Sequence, residues 1–256
     1  MNVPTFISSR SNAFLKDLKR LAQDSTAYRK QGQVWLEGDH LIRAALQRGL
    51  GLRSLVLAES FAAEAPAEWQ SRAGATLIVA DSLWRDFSGL ESPARVGAVL
   101  DLPVAPELRA QAPSVVLDRV QDAGNVGSIL RSAAAFGFTQ VIALKGTAAL
   151  WSPKVLRAGM GAHFGLHLVE SLEYPALEAL QVPLLVTSSH QGSLLHQAAL
   201  PWPCAWVLGH EGQGVGPELM ARAQQLLRIA QPGGEESLNV AAAAAICLHA
   251  SGLQVP

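Results

Sequence analysis

Five short, almost wholly apolar runs punctuate the second half of the chain: Val115–Leu117, Val141–Leu144, Leu184–Thr187, Ala205–Leu208 and Leu226–Ala230. Each is too short for a helix and too continuous for a strand with one wet face, so each is expected to be a strand covered on both sides. Helical patterns lie between them, and the alternation predicts an α/β fold around a parallel sheet. The first hundred residues alternate in a smaller version of the same way. Ser11 and Asn12 can cap a helix running to about Gln23, with Phe14, Leu15, Leu18 and Leu21 on one stripe. Val34–Glu37, Ser54–Ala58, Thr76–Ala80 and Val96–Leu100 read as strands, and Asp39 and Asp81 are expected to cap the helices that follow them. The stretch DLPVAPELRAQAP (101–113) holds three prolines and no periodicity. It divides the chain into domains at 1–102 and 114–256, with a linker over 103–113.

Several classes fall away early. With 49% hydrophobic residues the chain is not intrinsically disordered, and its longest alanine-rich run, Val240 to Cys247, is too short to span a membrane. The opening MNVPTFISSR lacks the apolar core of a secretory signal. Two cysteines, Cys204 and Cys247, make neither a disulfide framework nor a metal clip, so a reducing, cytoplasmic setting without a metal is expected. The net charge of −1 hides an asymmetry, since residues 1–53 hold nine Lys/Arg against four Asp/Glu. Lys16, Lys19 and Arg20 stand in that segment as candidate phosphate contacts. A solvated helix face is the competing reading, and charge alone favours it.

Three stretches break local rules in ways packing does not explain. In residues 115–138 a strand runs into the polar loop DAGNVG, and a helix is expected to open near Asn125. Asn125, Gly127 and Arg131 then flank a positive helix N-terminus, although Asn125 as a plain N-cap and Arg131 as a surface charge fit equally well. In WVLGHEGQGVGPEL (206–219) a buried strand meets four glycines within eight residues, with Glu211 among them. Such a density of glycine lets backbone approach a ligand closely. The familiar fingerprints fail, because GxGxxG meets Pro217, HExxH meets Gly214, and no GxxxxGK[ST] exists. In residues 229–250 a Pro-Gly-Gly loop follows a strand, and Ser237 is expected to cap an Ala-rich helix with Asn239 in its first turn.

Taken in order, these segments resemble the three motifs of the SpoU family of RNA ribose 2′-O-methyltransferases, TrmH-like members of the SPOUT superfamily. The first motif shows as Asn125, Gly127 and Arg131, led in by Asp118 and Asp122. The second shows as Gly209, Glu211, Gly212 and Gly214, and the third as Pro232, Ser237, Leu238, Asn239 and Val240. SPKVLRAGMGAHF, with Ser152, Lys154, Arg157, Gly161 and Ala162, resembles the family's connecting segment. Residues 1–102 are similar, more weakly, to a ribosomal protein L30e-like RNA-binding domain.

The resemblance implies a C-terminal SPOUT domain with a trefoil knot, S-adenosylmethionine as cofactor, an RNA substrate (rRNA slightly favoured over tRNA) and a homodimer. It places Leu208, Gly209, Gly212, Gly214, Ile229, Pro232, Ser237 and Leu238 around the cofactor. Asn125, Arg131, Glu211, Ser237 and Asn239 fall around the target ribose, and Lys16, Lys19, Arg20, Lys154 and Arg157 on RNA. Family accounts make the residue at Arg131 the activating group. Two roles stay open for it: a transient proton acceptor held by a phosphate and neighbouring dipoles or, favoured because a guanidinium is ordinarily protonated, electrostatic stabilisation of the developing alkoxide. Rival readings are a non-enzymatic RNA-binding protein on the same fold, a base methyltransferase and, less favoured, a dinucleotide-dependent oxidoreductase.

Overall fold

A computed structural model describes residues 3–102, 106–234 and 237–254. Residues 103–105 of the expected linker, and Glu235 and Glu236 of the Pro-Gly-Gly loop, lie outside the described residues. The chain divides into two compact units, residues 1–104 with 151–164, and residues 105–150 with 165–256.

The first unit runs β1 (Thr5–Ile7), α1 (Ala13–Gln23), α2 (Ala27–Gln31), β2 (Gln33–Glu37), α3 (Asp39–Gln47), β3 (Leu52–Ala58), α4 (Ala67–Ser71), β4 (Ala73–Val79), α5 (Asp81–Phe87) and β5 (Val96–Asp101). Its mixed sheet has the order β1-β4-β3-β5-β2, with β5 antiparallel to both neighbours. Helix α1 forms as its stripe predicts: the Asn12 side chain caps it at Phe14 N, and Leu15, Leu18 and Leu21 are buried. Lys16, Lys19 and Arg20 are exposed on the other face. Asp39 and Asp81 correct the sequence reading, because each is the first helical residue rather than a cap. Gly38, at φ 96°, turns the chain out of β2 one residue early. The Asp81 carboxylate instead accepts from Ser60 N and Ser60 Oγ.

The second unit contains β6 (Ser114–Leu117), α6 (Ala123–Ala135) and β7 (Gln140–Leu144). After α7 (Pro153–Gly159), which belongs to the first unit, come β8 (His167–Leu172), β9 (Leu184–Thr187), β10 (Ser193–Leu194), β11 (Ala205–Leu208), α8 (Pro217–Arg222), β12 (Gln225–Arg228) and α9 (Val240–Gly252). Seven strands lie in the order β10-β12-β9-β11-β6-β7-β8, and every pair is parallel. Parallel strands need crossovers, and the crossovers cover both faces, which is why β6, β7 and β11 are buried along their whole length. Helices α6 and α9 pack on each other. Trp206 Nε1 on β11 donates to Ser251 Oγ of α9 at 2.8 Å. Strand β8 escapes the apolar-run criterion because Glu170 and Ser171 interrupt it.

The segment 151–164 corrects the expected boundary, which kept it in the C-terminal domain. Its Trp151, Val155, Leu156 and His163 are buried, and α7 packs against β2 and α1. The chain therefore returns to the first unit between β7 and β8. Gly161 sits at φ 86°, and a Cβ there would overlap that of Ala44 in α3. Among the described residues no helix is long and apolar enough to cross a membrane.

Candidate active site

Strands β9, β11 and β12 lie on one side of β6, and the loops leaving their C-terminal ends converge. Loops at these ends are where open parallel sheets build ligand sites, beside the strand at which the winding reverses. Here the convergence encloses a cleft of about 640 Å³. Thr187 ends β9 and Ser188 to Gln191 follow it, Gly209 to Val215 follow β11, and Ile229 and Gln231 follow β12. Ser237 to Val240 close it from the entry to α9. The volume suits a nucleoside-sized ligand.

The glycine-rich loop is folded tightly on itself. His210 and Gly214 exchange backbone hydrogen bonds, and His210 Nδ1 accepts from Gly212 N at 2.9 Å and Gln213 N at 3.2 Å. A Cβ at Gly209 would overlap the backbone of Gly214 and Val215. Gly209 is thus required by the loop's own closure, not only by the approach of a ligand. Gly214 supplies the left-handed turn at φ 68°.

Glu211 joins this loop to the start of α6. Its carboxylate accepts from Gln121 N (3.2 Å), Asp122 N (3.1 Å) and Asn125 Nδ2 (3.2 Å). Partial burial pushes the Glu211 carboxyl up, but hydrogen bonds from its own amide, Asp122, Asn125 and Gln121 outweigh that and hold it below the usual range. Asn125 Oδ1 in turn accepts from Asn239 Nδ2 at 2.9 Å. One polar chain, Glu211–Asn125–Asn239, therefore draws all three motifs together.

Two caps differ from the sequence expectation. Asp122, not Asn125, caps α6, accepting from Asn125 N at 2.7 Å. Asn239, not Ser237, caps α9, accepting from Ala241 N and Ala242 N. The capping work falls to Asp122, which leaves the Asn125 amide free to bridge Glu211 and Asn239.

The remaining candidates are spread unevenly. Gly209, Gly212, Gly214, Ile229, Ser237, Leu238, Glu211 and Asn239 line the cleft. Leu208 does not, being fully buried in the sheet. Pro232 lines a smaller neighbouring cavity that shares Ile229 and Gln231 with the cleft. Arg131 is exposed two turns into α6, and among the described residues it makes no ion pair or side-chain hydrogen bond. Of the proposed RNA contacts, Lys154 is exposed on α7 and Arg157 half-buried. Sequence reasoning missed the wall Ser188–Gln191, although a polar SSHQ run straight after an apolar strand was a usable signal. It also missed Gln231, which lines the cleft and whose buried Oε1 has no hydrogen-bond partner among the described residues. An orphaned acceptor in a cleft walled by polar and apolar groups fits a ligand with both donor groups and a flat apolar face.

Residues 112–249 match the family described as the SpoU rRNA Methylase family. The chain is 31% identical over 249 residues to the 23S rRNA (guanosine(2553)-2′-O)-methyltransferase RlmP of Bacillus subtilis, covering 95% of this chain and 97% of that one. An AdoMet-bound rRNA methyltransferase from Sinorhizobium meliloti superposes with a TM-score of 0.85 at 26% identity, covering 98% of each chain. A putative RNA methyltransferase of the TrmH family from Porphyromonas gingivalis does so with 0.79 at 30% identity, over 94% of this chain and 98% of that one.

Proposed function

The chain belongs to the SpoU rRNA methylase family, and from that premise we propose that it transfers a methyl group from S-adenosylmethionine to a ribose 2′-hydroxyl of rRNA. The observation that carries the reading is the Glu211–Asn125–Asn239 chain standing beside a nucleoside-sized cleft. Two of the three relatives named above, those from Bacillus subtilis and Sinorhizobium meliloti, are rRNA methyltransferases, which favours rRNA over tRNA.

S-adenosylmethionine supplies an activated methyl on a sulfonium. The chain's own task is to hold the two reactants in line and ease the loss of the hydroxyl proton. Backbone at Gly209, Ile229 and Leu238, with the orphaned Gln231 Oε1, would hold the nucleoside part of the cofactor. Asn125, Glu211, Ser237 and Asn239 would orient the ribose. The polar chain fixes Asn125, Glu211 and Asn239 before substrate arrives, so little reorganisation of these three is needed at the moment of reaction. Arg131 stabilises the oxygen as it becomes anionic, since a guanidinium is a poor proton acceptor, and the hydroxyl proton passes instead to solvent water.

The finer parts of the reading go with it. The segment 237–252 is threaded as the family's trefoil knot, and the enzyme works as a homodimer. The exposed side chains on the paired helices α6 and α9 face a second copy, which brings Arg131 into an enclosed site. The first unit is an L30e-like RNA-binding domain with Lys16, Lys19 and Arg20 toward phosphate, and the protein works in the cytoplasm.

The test is single-turnover transfer to rRNA beside cofactor titration, using Arg131→Ala and Arg131→Lys. Both variants should bind S-adenosylmethionine almost normally, while transfer falls by roughly a hundredfold or more, the scale of losing a preorganised electrostatic group. Lysine should rescue little, since the planar fork is lost. Near-normal transfer by Arg131→Ala would remove this residue from the reaction.

A further inference from the structure

Glu211 secures the first half of the loop 209–216, and the second half is secured by a different device. Arg119 is the second residue after β6 and sits at φ 59°, a left-handed conformation uncommon for a long side chain. Its backbone is held there, as Arg119 N donates to Thr147 Oγ1 at 3.1 Å and that hydroxyl donates to Leu117 O at 2.9 Å. The resulting turn lays the guanidinium along the neighbouring carboxylate. Arg119 Nε donates to Asp118 Oδ1 at 2.8 Å and Nη2 to Oδ2 at 3.1 Å, leaving Nη1 to donate to Gln213 Oε1 at 3.1 Å. Asp118 Oδ2 also accepts from Gly216 N at 2.7 Å. The Asp118 side chain is only 7% exposed and that of Arg119 35%, so much of this pairing is shielded from water. The hydrogen bond with Asp118 accordingly holds the Arg119 guanidinium above its usual range, against the opposing effect of burial.

The arrangement has a direction. Gln213 lines the cleft wall, and Gly216 is where the loop leaves for α8. Both are fixed by a pair that stands behind the wall and does not itself line the cleft. A bidentate fork with donors to spare can grip a carboxylate and an amide together, which an ammonium cannot do in the same geometry.

We propose that Arg119 is a positioning residue for cofactor binding: through Asp118 and Gln213 it sets the shape of the glycine-rich wall that S-adenosylmethionine meets. The inference rests on the reading of the cleft as the cofactor site. It sets Arg119 apart from Arg131, whose role is in the transfer step.

The experiment is calorimetric titration of S-adenosylhomocysteine into wild type, Arg119→Asn, Gln213→Ala and the double variant, with apo-protein melting measured on each. Asparagine is chosen because it accepts a positive φ, so the backbone keeps its turn while the fork is lost. Arg119→Asn should weaken binding by about tenfold, the scale of one charge-assisted hydrogen bond. The double variant should bind no more weakly than Arg119→Asn, since the two side chains act as one unit. The cofactor KM should rise in the same proportion, with kcat at saturating cofactor reduced by at most about threefold. If Arg119→Asn fails to fold, Arg119→Lys carries the test with the same expected loss. Additive losses in the double variant, unchanged affinity in a folded Arg119 variant, or a fall confined to kcat would each overturn the proposal. Wild type that does not bind S-adenosylhomocysteine would overturn the cofactor reading itself.

Discussion

Glu211 shows how a single carboxylate organises the candidate site. Its three acceptances from Gln121, Asp122 and Asn125 set where α6 begins relative to the glycine-rich loop. Glu211→Gln replaces one accepting oxygen with a donor that faces N–H groups, so methyl transfer should fall by about tenfold or more. Cofactor affinity should change less, as checked by titration on the same preparation. The sign of the pH effect follows from its lowered pKa. A depressed carboxyl makes its full contribution above the ordinary value of 4.5 and loses it as pH falls through the lower folded value. Wild type and Glu211→Gln should therefore show parallel pH–rate profiles from neutrality upward. A titration near pH 7 present in wild type and missing in Glu211→Gln would contradict this. The sequence made Glu211 and Asn125 legible through their place among glycines and at a strand-to-helix turn. Arg119 was not legible, because a positive φ at an arginine has no signature in sequence.

At the scale of elements, α9 begins where the site ends. Asn239 caps the helix with Oδ1 and reaches Asn125 with Nδ2, so one side chain serves stability and geometry. The two roles separate by substitution. Asn239→Asp retains the cap and should keep stability close to wild type, yet it loses the donor to Asn125 and transfer should drop. Asn239→Ala loses both and should also cost about 1 kcal/mol of stability, the usual value of an N-cap. Chemical denaturation beside a transfer assay distinguishes the pair, and equal activity in wild type and Asn239→Asp would show that the Asn125 contact is idle. Helix α1 offers a second test, since its apolar stripe is buried and Lys16, Lys19 and Arg20 are exposed. Reversing those three charges should weaken RNA binding and flatten its salt dependence without altering cofactor affinity. An unchanged salt slope would return this face to ordinary solvation. The strands with continuous apolar runs were readable from sequence, because burial on both faces leaves that mark. The ends of helices were read less well, since several polar residues near each start can cap and only the backbone turn decides among them.

For the whole molecule, the alternation of short buried strands with helices was enough to expect two α/β units and a parallel sheet in the second. The return of residues 151–164 to the first unit was not readable, because long-range packing of Trp151, Leu156 and His163 leaves the same apolar pattern as packing nearby. The order of the sheet was equally hidden, although it is what brings the loops after β9, β11 and β12 to one place. The most direct measurement of the central claim follows a labelled methyl from S-adenosylmethionine into rRNA, with alkaline hydrolysis of the product. A methyl on a 2′-oxygen blocks cleavage of the adjacent phosphodiester, because that hydroxyl is the internal nucleophile of the hydrolysis. Label transferred by this protein should therefore appear in alkali-resistant dinucleotides and disappear with Arg131→Ala. Label recovered in mononucleotides, on the base, would contradict ribose methylation, and no transfer to any rRNA would contradict the assignment of the substrate.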